Sequence, residues 1–307
     1  MIDMEYALKT EDIFKSYCRA SVLNGVTMSV PKGSVYGLVG RNGAGKTTLM
    51  RVVCGLQQPK SGSYSIFGVA NNDRKISKVR SRIGGVIESP ALYNEMTARD
   101  NIKAQMDMLG LPKNKADIDE LLDIVGLGGT GKKRAGKFSL GMRQRLGIAV
   151  ALAGYPDFIV LDEPINGLDP EGIVEIRELL LRLNKEKGMT VLISSHILSE
   201  LSMLATHYGF MDKGKVIKEI SSVELEQQIR KSMVAEVSDV SKATAALDAI
   251  GKEYEVIADN KVRIFEKMSV TILSEELSSK GCELLGLTEM DESLESYFLD
   301  LVGGAEK

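Results

Sequence analysis

Residues 40–48 read GRNGAGKTT and satisfy the spacing GxxxxGK[ST]. Glycines at 40, 43 and 45 let the main chain wrap an anion with its N–H groups turned inward, and the start of a following helix adds a favourable dipole. Lys46 is then placed to reach the β- and γ-phosphates of a nucleotide, and Thr47 offers a hydroxyl to Mg²⁺. That ion prefers octahedral oxygen ligation, so a second protein oxygen is required. Asp162, at the end of the apolar run FIVLD, is the candidate. Its neighbour Glu163 falls just past the carboxyl end of that run, where ligands of open α/β sheets bind. A carboxylate there can polarise an attacking water as a general base. A solvated acidic pair is the bland alternative, and Pro164, Gly167 and Asp169 following so closely weigh against it. The loop's candidate nucleotide contacts are Gly40, Asn42, Gly43, Ala44, Gly45, Lys46, Thr47 and Thr48.

Such chemistry needs a strand before the loop and a helix after it, and both are legible. The strand is VYGLV at 35–39, and the helical pattern begins TTLMRVVCGL at 47–56. From residue 6 to about 220, short apolar runs alternate with helical patterns, among them FIVL at 158–161 and TVLIS at 190–194. Continuous apolar runs of this length suit parallel strands buried on both faces. Between 88 and 154 the helical signals dominate, at 98–109, 116–125 and 141–153, which predicts a helical insertion. The stretch GLGGTGKKRAGK at 126–137 carries Lys132, Lys133, Arg134 and Lys137 and reads as a solvated loop in preference to an anion site.

After residue 220 the pattern changes to strand 232–238, helix 240–250, strand 253–258, a turn at Asn260, strand 261–266, helix 270–280 and strand 282–288. That βαββαβ order is the ferredoxin-like split arrangement. A final helix over 291–302, with an acidic start, aligns Leu294, Tyr297, Phe298 and Leu301 on one face. The expected domains are 1–221, with a helical part at about 88–155, and 222–307. Two units also suit a chain of 307 residues.

Composition sets the remaining bounds. With 39 basic and 42 acidic residues, a net charge of −3 and a mean hydropathy of −0.03, the chain has no overall electrostatic footprint for nucleic acid. Cys18, Cys54 and Cys282 lack metal-ligand spacing and read as reduced thiols of a cytosolic protein. Neither a signal-peptide pattern at the start nor an apolar run of membrane-spanning length is present, so a protein that neither crosses a membrane nor is exported is expected.

Taken in order, GRNGAGKTT, FSLGMRQR at 138–145, FIVLDEP at 158–164, NGLDP at 166–170 and SSH at 194–196 resemble the motif series of the ABC ATPases over roughly residues 5–220. FSLGM stands where the family has LSGGQ; Ser139 and Gly141 match, whereas Leu140 and Met142 depart. A serine at a helix start can hold a γ-phosphate through its hydroxyl and the adjoining amides. In the family that phosphate belongs to the opposite subunit, so the resemblance implies two copies and two shared sites. His196 aligns with the family's switch histidine, which contacts the γ-phosphate, and His207 matches nothing. Tyr17 matches the aromatic that stacks on adenine, with core packing as the alternative.

Glu88, in IGGVIESPALY at 83–93, occupies the family's Q-loop glutamine position. It can present an oxygen toward the metal or the attacking water while adding charge. This resembles the E-loop of bacitracin-resistance and lantibiotic-immunity exporter ATPases, which also commonly carry SLGM; a solvated glutamate in an unrelated exporter is the alternative. The resemblance implies an α/β P-loop cassette, with a mixed sheet and a helical subdomain, to which the pattern after residue 220 adds a small C-terminal α+β domain. It further implies ATP and Mg²⁺ as cofactors, hydrolysis coupled to transport, and a separate transmembrane permease gripped by the helical part. The chain would then lie in the cytoplasm, peripheral to the inner face of the membrane, and handle antimicrobial peptides or another drug-like substrate. A soluble ABC protein acting on ribosomes or DNA, and a metabolic P-loop kinase, are the rivals. The first usually joins two cassettes or carries long coiled coils; the second would transfer phosphate to a small acceptor.

Overall fold

Alternation of buried and exposed side chains makes β1 (Tyr6–Tyr17) and β2 (Ala20–Pro31) one-sided strands, and they pair as a long antiparallel hairpin. The next run, β3 (Val35–Val39), is buried at every position and leads through the glycine-rich loop into α1 (Lys46–Val53). There follow β4 (Ser61–Ile66), β5 (Val69–Ala70), α2 (Ile76–Arg80), β6 (Ile83–Val86), α3 (Ala98–Met108), α4 (Lys115–Ile124) and α5 (Leu140–Leu152). The chain then forms β7 (Phe158–Asp162), α6 (Pro170–Lys187), β8 (Thr190–Ser195), α7 (Leu198–Ser202), β9 (His207–Asp212) and β10 (Lys215–Ser221). The computed structural model describes residues 5–18, 20–112, 114–228, 232–266, 268–289 and 294–304.

Two sheets build this part. One has the order β10-β9-β3-β8-β7-β6 and is parallel except for its β10–β9 edge pair. The other, β2-β1-β4-β5, is wholly antiparallel. Reading every strand before residue 220 as part of one alternating strand–helix pattern therefore missed the second sheet. Its strands bury one face only, so their apolar residues alternate instead of running on. A shared core joins Leu8, Ile13 and Met28 of the antiparallel sheet to Leu49 of α1 and to Leu38, Val160 and Leu192 of the parallel one.

A polar tie through the exposed Glu219 reinforces the join. The Tyr36 hydroxyl donates to Glu219 Oε1 at 2.6 Å, and the same oxygen accepts from the Ser29 main-chain N–H at 2.8 Å. Burial pushes the Tyr36 phenol well above its ordinary range, and the adjacent Glu219 charge adds to this.

The helical insertion follows its capping residues. Thr97, Ser139 and Asp169 each accept a main-chain N–H at the start of α3, α5 and α6, and Gly188 in the left-handed region ends α6. Ile102, Met106, Ile118, Leu121, Leu122 and Leu146 are buried among α3, α4 and α5. The stretch 126–137 contains two short 3₁₀ turns, at Gly128–Thr130 and Ala135–Lys137. Arg134 is paired with Glu95 at 2.8 Å, while Lys132, Lys133 and Lys137 are exposed.

The chain divides into the compact units Met1–Ser222 and Val223–Lys307. The second opens with α8 (Ser222–Gln228) and runs β11 (Met233–Val237), α9 (Val240–Ala249), β12 (Tyr254–Ala258), β13 (Lys261–Ile264), α10 (Val270–Ser279), β14 (Leu284–Glu289) and α11 (Leu294–Gly304). Its antiparallel sheet has the order β12-β13-β11-β14, with α9 and α10 packed over Met233, Ala235, Val262 and Ile264. In α11, Leu294 and Phe298 are buried and Tyr297 donates to Gln228 at 3.0 Å. The acidic start expected at Asp291 and Glu292 lies outside the described residues.

Candidate functional site

The loop between β3 and α1 is shaped by close approach. A Cβ on Gly40 would stand 2.5 Å from the Met211 carbonyl oxygen, and one on Gly45 would meet Leu23 and Met211 at 2.9 Å. Gly45 also has φ +109 and precedes α1 without any side chain capping that helix. The first amides of α1 are therefore left by side chains to an external acceptor. Asn42 and Gly43 are exposed, Ala44 and Thr48 are buried, and Thr47 is half-buried. Lys46 is buried, and its ammonium donates to the Gly40 carbonyl at 2.7 Å and lies 3.2 Å from Glu163 Oε1.

Parallel pairing of β7 with β8 sets Asp162 opposite Ser194. The Ser194 hydroxyl donates to Asp162 Oδ1 at 2.6 Å and accepts the Glu163 main-chain N–H at 3.0 Å; Asp162 and Ser194 are both buried. Glu163 then turns out of the strand at φ +49, an unusual value for a residue with a side chain. Its second oxygen lies 2.6 Å from His196 Nδ1. One carboxylate is thus shared between a buried ammonium and an imidazole, at the mouth of a loop built for anions. Such a site can hold a phosphate on Lys46 and the α1 amides while Glu163 and His196 face whatever attacks it.

Ser194 was not singled out as a site residue by the sequence reading, although the SSH motif contains it. Because it serves two groups, Ser194→Ala leaves Asp162 Oδ1 and the Glu163 amide without their partner. A buried unsatisfied polar group costs about 1–3 kcal/mol, and each kcal/mol lowers the melting temperature of a domain this size by roughly 2–4 °C. Calorimetry of the variant is expected to read that fall, and an unchanged melting temperature contradicts it.

The residues present fit Mg²⁺ carried by a nucleotide. Asp162 offers a second oxygen that makes no hydrogen bond among the described residues, and Thr47 supplies a half-buried hydroxyl. No group of three or more His, Cys, Asp or Glu among the described residues could cage a metal alone. That agrees with an ion held by one or two protein oxygens plus phosphate.

The Glu88 carboxylate is paired with Arg51 Nη2 of α1 at 2.6 Å and, among the described residues, makes no hydrogen bond to Thr47, Asp162 or Glu163. Tyr17 is exposed and donates its hydroxyl to Gln57 Oε1. Slight burial of this phenol opposes ionisation, but Thr48, Gln57 and Arg51 around the oxygen outweigh it and lower the phenol below its ordinary range. The ring is exposed, with the Lys15 ammonium 5.7 Å from its centroid, so packing in the core does not describe Tyr17. Ser139 caps the start of α5, exposed, its hydroxyl accepting the Met142 N–H at 3.3 Å. With Gly141, Arg145, Asp169 and Glu171 it lines an open hollow of about 500 Å³. Among the described residues no hydrogen bond or ion pair joins Ser139 or Gly141 to residues 40–48 of the same chain. The other residue the sequence reading passed over is Arg51.

Fold and site together define a P-loop ATPase. The family model described as ABC transporter matches residues 23–166. The bacitracin transport ATP-binding protein BcrA of Bacillus licheniformis is 41% identical over 304 residues, covering 98% of this chain and 99% of that protein. The lantibiotic transport ATP-binding protein SrtF of Streptococcus pyogenes is 47% identical over 212 residues, 69% of this chain and 90% of that one. A solved dimer of MJ0796, a bacterial ABC transporter cassette, matches with a TM-score of 0.63 at 25% identity, covering 70% of this chain and 98% of that one. The chain belongs to the ATP-binding proteins of ABC transporters, whose cassettes bind and hydrolyse ATP. Among the described residues no helix is long and apolar enough to cross a membrane.

Proposed function

We propose that this chain powers a peptide-antibiotic exporter: two copies close on two ATP molecules, and their hydrolysis drives a separate membrane permease. The observation that carries the hydrolytic part is the placement of Glu163, 3.2 Å from Lys46 and 2.6 Å from His196 at the end of β7. Lys46 and the first amides of α1 hold the β- and γ-phosphates. Thr47 and Asp162 hold Mg²⁺, which, when bound, neutralises phosphate charge and polarises the transferred group. Triphosphate competes with Glu163 for the Lys46 ammonium, and the carboxylate so released accepts a proton from the attacking water while His196 keeps it oriented. Tyr17 stacks on the base. Ser139 and Gly141, at the start of α5, serve the triphosphate of a second copy.

Peptide-antibiotic substrates are supported by the full-length likeness to a bacitracin transport protein and by the likeness of the cassette to a lantibiotic one. Glu88 and SLGM in this sequence agree with that subfamily. Attachment to the permease gives the chain its place at the inner face of the membrane.

The permease contact is a groove of about 640 Å³ between the segment after β6 and helices α3 and α5. Its wall includes Tyr93, Met108 and Leu109, all three exposed. Met108→Arg, on the rim and remote from Lys46, is expected to leave the ATPase rate of the isolated protein unchanged and to abolish copurification with a polytopic membrane protein. Retained copurification removes the groove from the proposal. The function itself is tested by deleting the gene. Sensitivity to bacitracin or to lantibiotics should rise, with rescue by the native chain and none by Glu163→Gln. Unchanged sensitivity to both, or copurification with ribosomes in place of a membrane protein, overturns it.

A further inference from the structure

Glu88 is the tip of a three-residue turn: the Ser89 N–H donates to the Ile87 carbonyl at 2.9 Å, and Glu88 itself has φ +65. Turns of this kind are strained for a residue with a side chain and persist where neighbours hold them. The neighbour here is Arg51, paired with the Glu88 carboxylate at 2.6 Å. Ile87 and Ser89, on either side, line the groove described above.

Arg51 also governs the other end of α1. Its carbonyl accepts the N–H groups of Leu56 at 2.9 Å and Gln57 at 3.2 Å, and the Gln57 side chain holds the Tyr17 hydroxyl. Its guanidinium, with Thr48 and Gln57, lowers that phenol against the slight burial that opposes ionisation. A single arginine on the helix that starts at Lys46 therefore pairs with the groove turn and is linked to the base platform through Gln57.

We propose that Arg51 is a positioning residue that couples Tyr17 to the turn carrying Glu88, so that displacing Glu88 from the groove side changes affinity for the adenine base. This rests on the nucleotide reading of Tyr17 and the phosphate loop. Linkage makes the coupling reciprocal: whatever moves Glu88 alters base affinity by the factor with which the base alters it. Glu88 is 62% exposed, which limits the effect of the ion pair to about fivefold.

The test is calorimetric titration of the full chain with Mg-ATP and, separately, with inorganic tripolyphosphate, which has the phosphates and no base. Arg51→Ala should weaken ATP about fivefold relative to tripolyphosphate, and Arg51→Lys should restore most of the loss. Glu88→Ala, which alters no residue touching the base, should shift the same ratio, and the double variant should be no worse than Arg51→Ala. Equal weakening of both ligands by Arg51→Ala would assign it a structural role only and overturn the coupling, as would an unchanged ratio in Glu88→Ala. Lys46→Ala should lose both ligands. If it kept tripolyphosphate, the phosphate reading would fall, and the coupling with it.

Discussion

Glu163→Gln should yield a folded protein that binds ATP as well as the native chain, or better, and scarcely hydrolyses it. Glutamine has the same shape and keeps the turn at φ +49, so the main-chain bond to Ser194 survives. What disappears is the charge shared by Lys46 and His196. Lys46 loses the counter-ion that competes with phosphate, which favours binding. The attacking water loses its proton acceptor, a contribution of about a hundred- to ten-thousandfold in rate. Phosphate release under single-turnover conditions, beside a binding titration, separates the two effects. Hydrolysis at the native rate would remove Glu163 from the role of base.

The second large effect is expected at Lys46. Lys46→Ala removes a buried ammonium that bonds the Gly40 carbonyl and pairs with Glu163. The half-buried Glu163 carboxylate is then left facing the phosphate position with only His196 to offset it, so repulsion is added to the lost attraction. Truncating one member of such a pair costs about 2–5 kcal/mol, equivalent to at least thirtyfold in nucleotide affinity. Turnover at saturating ATP should fall as well, because the same side chain neutralises the transferring group. An affinity within a few fold of native would show that the loop does not depend on its lysine.

The parts of the site legible in the sequence are those whose partners lie close along the chain. Residues 40–48 announced their loop because strand, glycines and helix follow one another directly, and Asp162 and Glu163 were legible from the apolar run they terminate. Ser139 was likewise visible at the start of a helical pattern. Contacts distant in sequence were not legible. Ser194 meets Asp162 only because β8 pairs with β7 in one register, and Arg51 meets Glu88 across 37 positions. Nothing local to IESPALY says that its glutamate turns toward α1. The antiparallel sheet was missed for a related reason: β1 and β2 alternate weakly along twelve residues each, interrupted by irregular pairing near Thr10 and Ile13. By contrast, the βαββαβ unit has short elements, with a turn at Asn260 between its two middle strands, and its order was read directly.

The claim on which the account depends is that one ATP lies between two copies. Glu163→Gln should trap that state, and the most direct measurement is a structure of this variant grown with Mg-ATP. The account predicts a head-to-tail dimer, each triphosphate touching Lys46 of one copy and Ser139 of the other. A monomer, or an assembly in which Ser139 is remote from every triphosphate, would contradict it.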